Sequence, residues 1–198
     1  MTYTLNTYRD ELNAHFADRV RYEVAKKGED AAIIEKFTKM IKDEITNDRV
    51  IEALMLANVN TNFVNMQEKA DARLNVYAVQ KVFSLARTSI GANFLHRYID
   101  TIYRTLINFT ENNLSLTLQD AKASLCVELK AEDKNKQKLL VTYASRISDT
   151  TASTQASSTI SALRITNIVI QTRNDKYKDA YIFNEQSEMH KQILKRIQ

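Results

Sequence analysis

Lys136-Gln-Lys-Leu-Leu-Val-Thr-Tyr-Ala-Ser-Arg-Ile147, followed by Ser148-Asp-Thr-Thr-Ala-Ser153 and Thr154-Gln-Ala-Ser-Ser-Thr-Ile-Ser-Ala-Leu-Arg-Ile-Thr166, decides how this chain is read. Leu139, Leu140, Tyr143, Ala144 and Ile147 recur at helical spacing, so the stretch predicts a helix. Ser148 to Ser153 is a run of turn formers and predicts a break. Thr154 to Thr166 predicts a second helix, with Ala156, Ile160 and Leu163 inward and a face of hydroxyl and amide groups outward. Asn167 is a helix stop, because Asn tolerates the left-handed conformation at a helix end. Ile168-Val-Ile-Gln-Thr172 and Asp179-Ala-Tyr-Ile-Phe183 read as strands joined by the charged turn Arg173-Asn-Asp-Lys-Tyr-Lys178.

Outward from that stretch the chain is helical in character. It holds no Pro and two Gly in 198 residues, which leaves few helix breakers. The first helix is predicted from Thr7 to Lys27, with Tyr8, Leu12, Phe16, Val20 and Val24 as its apolar stripe and Gly28 as its stop. A second follows Asp30, with Ile33, Ile34, Phe37, Met40 and Ile41 on one face. Asn47 caps a third that contains Val50, Ile51, Leu54 and Met55. Asn58-Val-Asn-Thr-Asn62 interrupts. A long helical run from Phe63 to Ala86 comes next, with a break or kink at Arg87 to Gly91. A further stripe runs from Ile90 to Ile107. Stripes of this kind must cover one another, which predicts a bundle over residues 1–112.

Thr110-Glu-Asn-Asn113 is the expected boundary, and residues 113–198 form the second expected unit. It opens with a short strand at Leu114, Leu116 and Leu118, then a helix whose Thr117 and Asp120 have capping-box spacing. Glu185 to Gln198 is an amphipathic end helix, predicted to pack within the chain or against a second subunit. The expected fold class is therefore mainly α: a helical bundle, then two helices and a small β-hairpin.

The order of elements over residues 114–184 resembles a winged helix-turn-helix. That superfamily shows Ser-Thr-Val-Ser-x-x-Leu-x-x-Leu, then four residues ending in Gly and two aliphatics. Thr154-Gln-Ala-Ser157 opens the same pattern here, Ile160 and Leu163 take the apolar positions, Asn167 stands for the Gly, and Ile168 and Val169 begin the wing. Tyr143-Ala144-x-x-Ile147 resembles the preceding helix. The connecting turn is about two residues longer than the commonest form. The resemblance implies double-stranded DNA as partner. Thr154, Gln155, Ser157, Ser158, Thr159 and Ser161 would face the groove, where Gln pairs with adenine and short hydroxyls reach bases or phosphates. Arg146 and Arg164 would take phosphates, and Arg173, Lys176 and Lys178 would make the wing contacts.

The charge distribution points the same way. Residues 1–112 carry 15 basic and 15 acidic side chains, whereas residues 113–198 carry 13 and 9, so the net charge of +4 lies wholly in the second unit. No metal, nucleotide or catalytic constellation stands out. His15, His96 and His190 are scattered, and His96 with Asp100 supplies two ligand types at helical spacing but no third. Cys126 sits among apolar residues as a small core side chain. The sequence predicts no cofactor, no enzyme activity and no membrane span, and its lone cysteine fits a reducing cytoplasm.

Two readings follow. One is a non-enzymatic DNA-binding protein, a transcription regulator or replication-origin binder of phage or plasmid type. Its bundle or end helix would offer a homodimer or protein contact. The other is a structural or adaptor protein that uses the same module against protein.

Overall fold

The computed structural model describes residues 4–69, 72–173 and 179–197. Thr4 caps helix α1 (Leu5–Lys27), its hydroxyl accepting from Thr7 N at 3.2 Å. The helix begins two residues before the predicted start, so Asp10 and Glu11 lie beyond its first turn. Gly28 ends it with φ +88°. Helix α2 (Ala32–Met40) runs into a π turn at Ile41–Ile45 and then α3 (Asp48–Leu56), whose Asn47 cap accepts from Val50 N at 3.3 Å. Phe16 meets Phe37 edge-on at 5.7 Å and stacks on Phe83 at 6.2 Å, which ties α1 and α2 into one core.

The predicted continuous helix from Phe63 to Ala86 is divided. A 3₁₀ turn (Thr61–Asn65) precedes an antiparallel pair, β1 (Gln67–Lys69) and β2 (Ala72–Arg73), and only then comes α4 (Val76–Ser89). Arg19 supplies the reason. It is 2% exposed and donates to Val64 O at 3.1 Å and Leu74 O at 2.9 Å while pairing with Glu23 at 2.7 Å. Those two carbonyls flank the hairpin, and a buried guanidinium holds them in place of helical donors.

After α5 (Arg97–Glu111) come β3 (Leu116–Thr117) and α6 (Leu118–Leu125). Asp120 completes the predicted capping box with Thr117. Its fully buried carboxylate accepts from Thr117 N at 2.9 Å, Glu132 N at 2.9 Å and Lys136 Nζ at 2.8 Å. One side chain thereby joins β3, α6 and the start of α7 (Lys134–Leu139).

The predicted helix over Lys136 to Ile147 forms only in its first residues. Helix α7 ends at Leu139, and residues 140–148 are irregular. Asn108 Nδ2 donates to Leu139 O at 3.0 Å, Val141 N donates to Thr105 Oγ1 at 3.1 Å, and Tyr143 N donates to Ser124 O at 2.9 Å. The alternate backbone groups that a helix would need are thus held by α5 and α6. The predicted polar turn is corrected as well. Helix α8 (Asp149–Ile165) starts at Asp149, with Ser148 Oγ accepting from Thr151 N at 3.2 Å, so Ser148 to Ser153 form its cap and first turn.

Asn167 ends α8 at φ +55°, as predicted. Strands β4 (Val169–Arg173) and β5 (Asp179–Phe183) follow, then α9 (Glu188–Ile197). The larger sheet is antiparallel in the order β3-β5-β4, with Leu116 opposite Tyr181 and Val169 opposite Phe183. Helix α9 packs within the chain against α4 and α3. The fold is mainly helical with two small sheets, and its apolar core runs without a gap from Tyr8 to Ile193.

Asp120→Ala is expected to lower unfolding free energy by about 3 kcal/mol, because Thr117 N and Glu132 N would lose their acceptor and Lys136 its nearer carboxylate, Glu132 remaining at 3.7 Å. Urea denaturation checks this. Equal stability of variant and parent would show that Asp120 does not hold this junction.

Candidate nucleic-acid interface

Helix α8 packs against α4, α5 and α6. Ala152, Ala156, Ala162 and Leu163 are buried on it, and the small side chains let its neighbours approach closely. Two predicted groove residues are also buried. Ser158 is 2% exposed and Thr159 is fully buried. Their hydroxyls bond back along the helix, Ser158 Oγ to Thr154 O at 2.8 Å and Thr159 Oγ1 to Gln155 O at 2.7 Å. A short hydroxyl that satisfies itself on a preceding carbonyl can sit in a core, which is why the predicted outward face is narrower in the structure.

Lys81 of α4 takes a third part of that face. Its ammonium, 6% exposed, donates to Gln155 O at 3.0 Å, Gln155 Oε1 at 2.7 Å and Ser158 Oγ at 2.5 Å. All three partners are neutral, and burial lowers the amine to about 7. Partial burial, with the Lys81 and Arg97 charges adding to it, also holds His96 below its ordinary value. The Gln155 amide oxygen is therefore engaged inside the protein. Sequence reasoning missed Lys81; a lysine on the apolar side of the Tyr77 to Ala86 stripe was the available signal.

What α8 leaves open is a stripe of Thr150, Ser153, Ser157, Ser161 and Arg164 at helical spacing, with Thr150, Ser157 and Arg164 exposed and Ser153 and Ser161 half-buried. Thr154 lies half-buried beside it, its hydroxyl on Thr150 O at 3.1 Å. Arg164, in the last turn, acts on the Tyr181 phenol of β5, which burial raises and Arg164 opposes. Arg173 is exposed at the end of β4. Arg146 is exposed before α8 and paired with Glu128. Lys176 and Lys178 lie outside the described residues.

Other chemistry is accounted for locally. His96 packs on Tyr98 at 5.2 Å and Asp100 accepts from Arg104 at 2.9 Å, so they do not form a ligand pair. His190 Nδ1 meets the Tyr103 hydroxyl at 2.6 Å under the Phe183 ring at 4.1 Å. Among the described residues no three His, Cys, Asp or Glu side chains are grouped to hold a metal. Nor is any helix there long and apolar enough to cross a membrane. Cys126 is buried and unbridged. Comparison with protein-family models, curated proteins and solved structures finds no match to this chain.

The sign of the Lys81 effect is fixed by its direction. The unfolded chain keeps the proton up to the ordinary 10.5 and the folded chain loses it near 7. Stability should therefore rise with pH across that window, by up to about 1.4 kcal/mol per unit, and the full cost of the charged amine is present below it. Denaturation midpoints of parent and Lys81→Met, compared across that window, are expected to diverge, with the rise lost in the variant. Superimposable profiles would rule this out.

Proposed function

We propose that this chain is a non-enzymatic double-stranded DNA-binding protein, a transcription regulator or replication-origin binder, built on a variant winged helix. The observation that carries the reading is the arrangement β3–α6–α8–β4–β5 around a sheet ordered β3-β5-β4. It brings a hydroxyl-lined stripe ending in Arg164 and the exposed hairpin residue Arg173 into one unit. In this reading α6 takes the part of the helix before the recognition helix. Residues 126–148, with α7, form a long insertion in place of a tight turn.

The roles of the predicted residues then divide. Ser157, Ser161 and Arg164, with Ser153 and Thr150, reach the groove or its phosphates. Ser158 and Thr159 support α8 from within, and Gln155 positions it through Lys81. Arg173 takes backbone phosphate beside the groove. Arg146 contributes only after leaving Glu128, an exposed pair whose loss costs little.

A second reading, a structural or adaptor protein, draws support from the same Lys81 contact. It shows that much of the polar surface of α8 serves the fold itself.

Selection from a random duplex pool, followed by affinity measurement over a salt series, tests the proposal. Arg164→Ala and Arg173→Ala are each expected to reduce the slope of log affinity against log salt by about 0.9. Ser157→Ala is expected to weaken or broaden an enriched motif. No duplex binding at low salt would remove the DNA reading and favour the adaptor.

A further inference from the structure

Helix α4 ends at Ser89 and α5 begins at Arg97. The turn between them is internally fixed. Gly91 adopts φ +76°, its N–H donating to Thr88 O at 3.0 Å. Ala92 N donates to Arg87 O at 2.9 Å, and Thr88 Oγ1 donates to Asn93 Oδ1 at 2.9 Å.

Two arginines from distant parts of the chain close on it. Arg49 Nη2 of α3 donates to Ile90 O at 3.2 Å, and Arg196 Nε of α9 donates to Ser89 O at 3.2 Å. A Cβ at Gly91 would stand 2.4 Å from Arg196 Nη1, so the glycine admits that guanidinium. A third arginine, Arg97, lies over the rings of Tyr98 at 5.2 Å and Tyr143 at 5.6 Å. All three are exposed, and among the described residues none has a carboxylate within ion-pair distance. In the same turn the Phe94 side chain stands 92% exposed. Leaving a Phe in water forgoes about 1.5–3 kcal/mol, and a fixed turn that presents one is built for contact.

The turn also lies at the end of the molecule where α8 begins. Asn167 Nδ2, after α8, donates to Ala57 O at the end of α3, at 2.8 Å. Arg49, at the start of α3, reaches the end of α4. Helix α3 thus runs opposite to α4, and α8 also runs opposite to α4. The N-terminus of α8 and the turn after α4 therefore share one end, and Tyr143, shortly before α8, packs on Tyr98, shortly after the turn, at 5.1 Å.

We infer that residues 91–97, with Arg49 and Arg196, form a second DNA contact, in which the guanidinium groups take backbone phosphates and Phe94 packs as an apolar wedge in the adjoining minor groove. The inference rests on the DNA-binding reading and extends its footprint beyond the start of α8. Phosphate is the occupant because the patch offers unpaired positive charge. The exposed ring matches the wedges by which minor-groove proteins unstack a base step.

Anisotropy titration of a random-sequence duplex, over a salt series, tests it with Phe94→Ala, Arg97→Gln and, as a marker of the α8 contact, Arg164→Ala. Phe94→Ala is expected to weaken binding about tenfold with an unchanged salt slope. Arg97→Gln is expected to reduce the slope by about 0.9. The Phe94 side chain is outside the core, so the variant should melt as the parent does, which a thermal scan verifies. If the parent binds and Arg164→Ala weakens it while both turn variants bind like the parent, the second contact is refuted and the DNA reading stands. If the parent does not bind duplex, both fail together. Sedimentation of parent and Phe94→Ala detects the other occupant: a dimer lost in the variant, with affinity per protomer unchanged, would assign the patch to a second copy and overturn the inference.

Discussion

The position of α8 constrains the rest of this structure. A helix enclosed by α4, α5 and α6 must be narrow, and Ala152, Ala156 and Ala162 make it so. Its polar residues must be satisfied without water, and Ser158 and Thr159 manage this on the helix's own carbonyls. Lys81 is the exception to economy. A buried ammonium with only neutral partners is destabilising while charged, yet it joins α4 to α8 through three hydrogen bonds. The consequence is geometric: α8 is oriented by its neighbouring helices, and one stripe of it remains exposed.

Asp120 does the corresponding work on the other side. A single buried carboxylate caps α6, receives the Lys136 ammonium and fixes the backbone at Glu132. With α7 pinned there, the chain leading to α8 must run extended along α5 and α6, its alternate backbone groups bound by Thr105, Asn108 and Ser124. The long connection between α6 and α8 is consequently an ordered brace.

The turn after α4 gathers the same elements at one end. Helices α3, α4, α5 and α9 each contribute to it, two of them through arginines bound to carbonyls at the end of α4. Cations at a helix C-terminus are favoured by the helix dipole, so these guanidinium groups stabilise α4.

The local elements were legible in the sequence because their causes are local. Caps at Asn47 and Thr117, the stops at Gly28 and Asn167, and the strands around residues 168–183 depend on residues within a few positions of each other. The mainly helical class followed from the lack of breakers. Tertiary structure decided wherever a distant side chain held the backbone. Arg19 turned the run after Phe63 into a hairpin, and α5 and α6 drew Leu140 to Tyr143 out of a helix of correct periodicity. It also chose which hydroxyls of α8 face outward. Ser, Thr and Gln at helical spacing carry no mark of which will be covered. That depended on the approach of α4, whose lysine reaches α8 from 74 residues away.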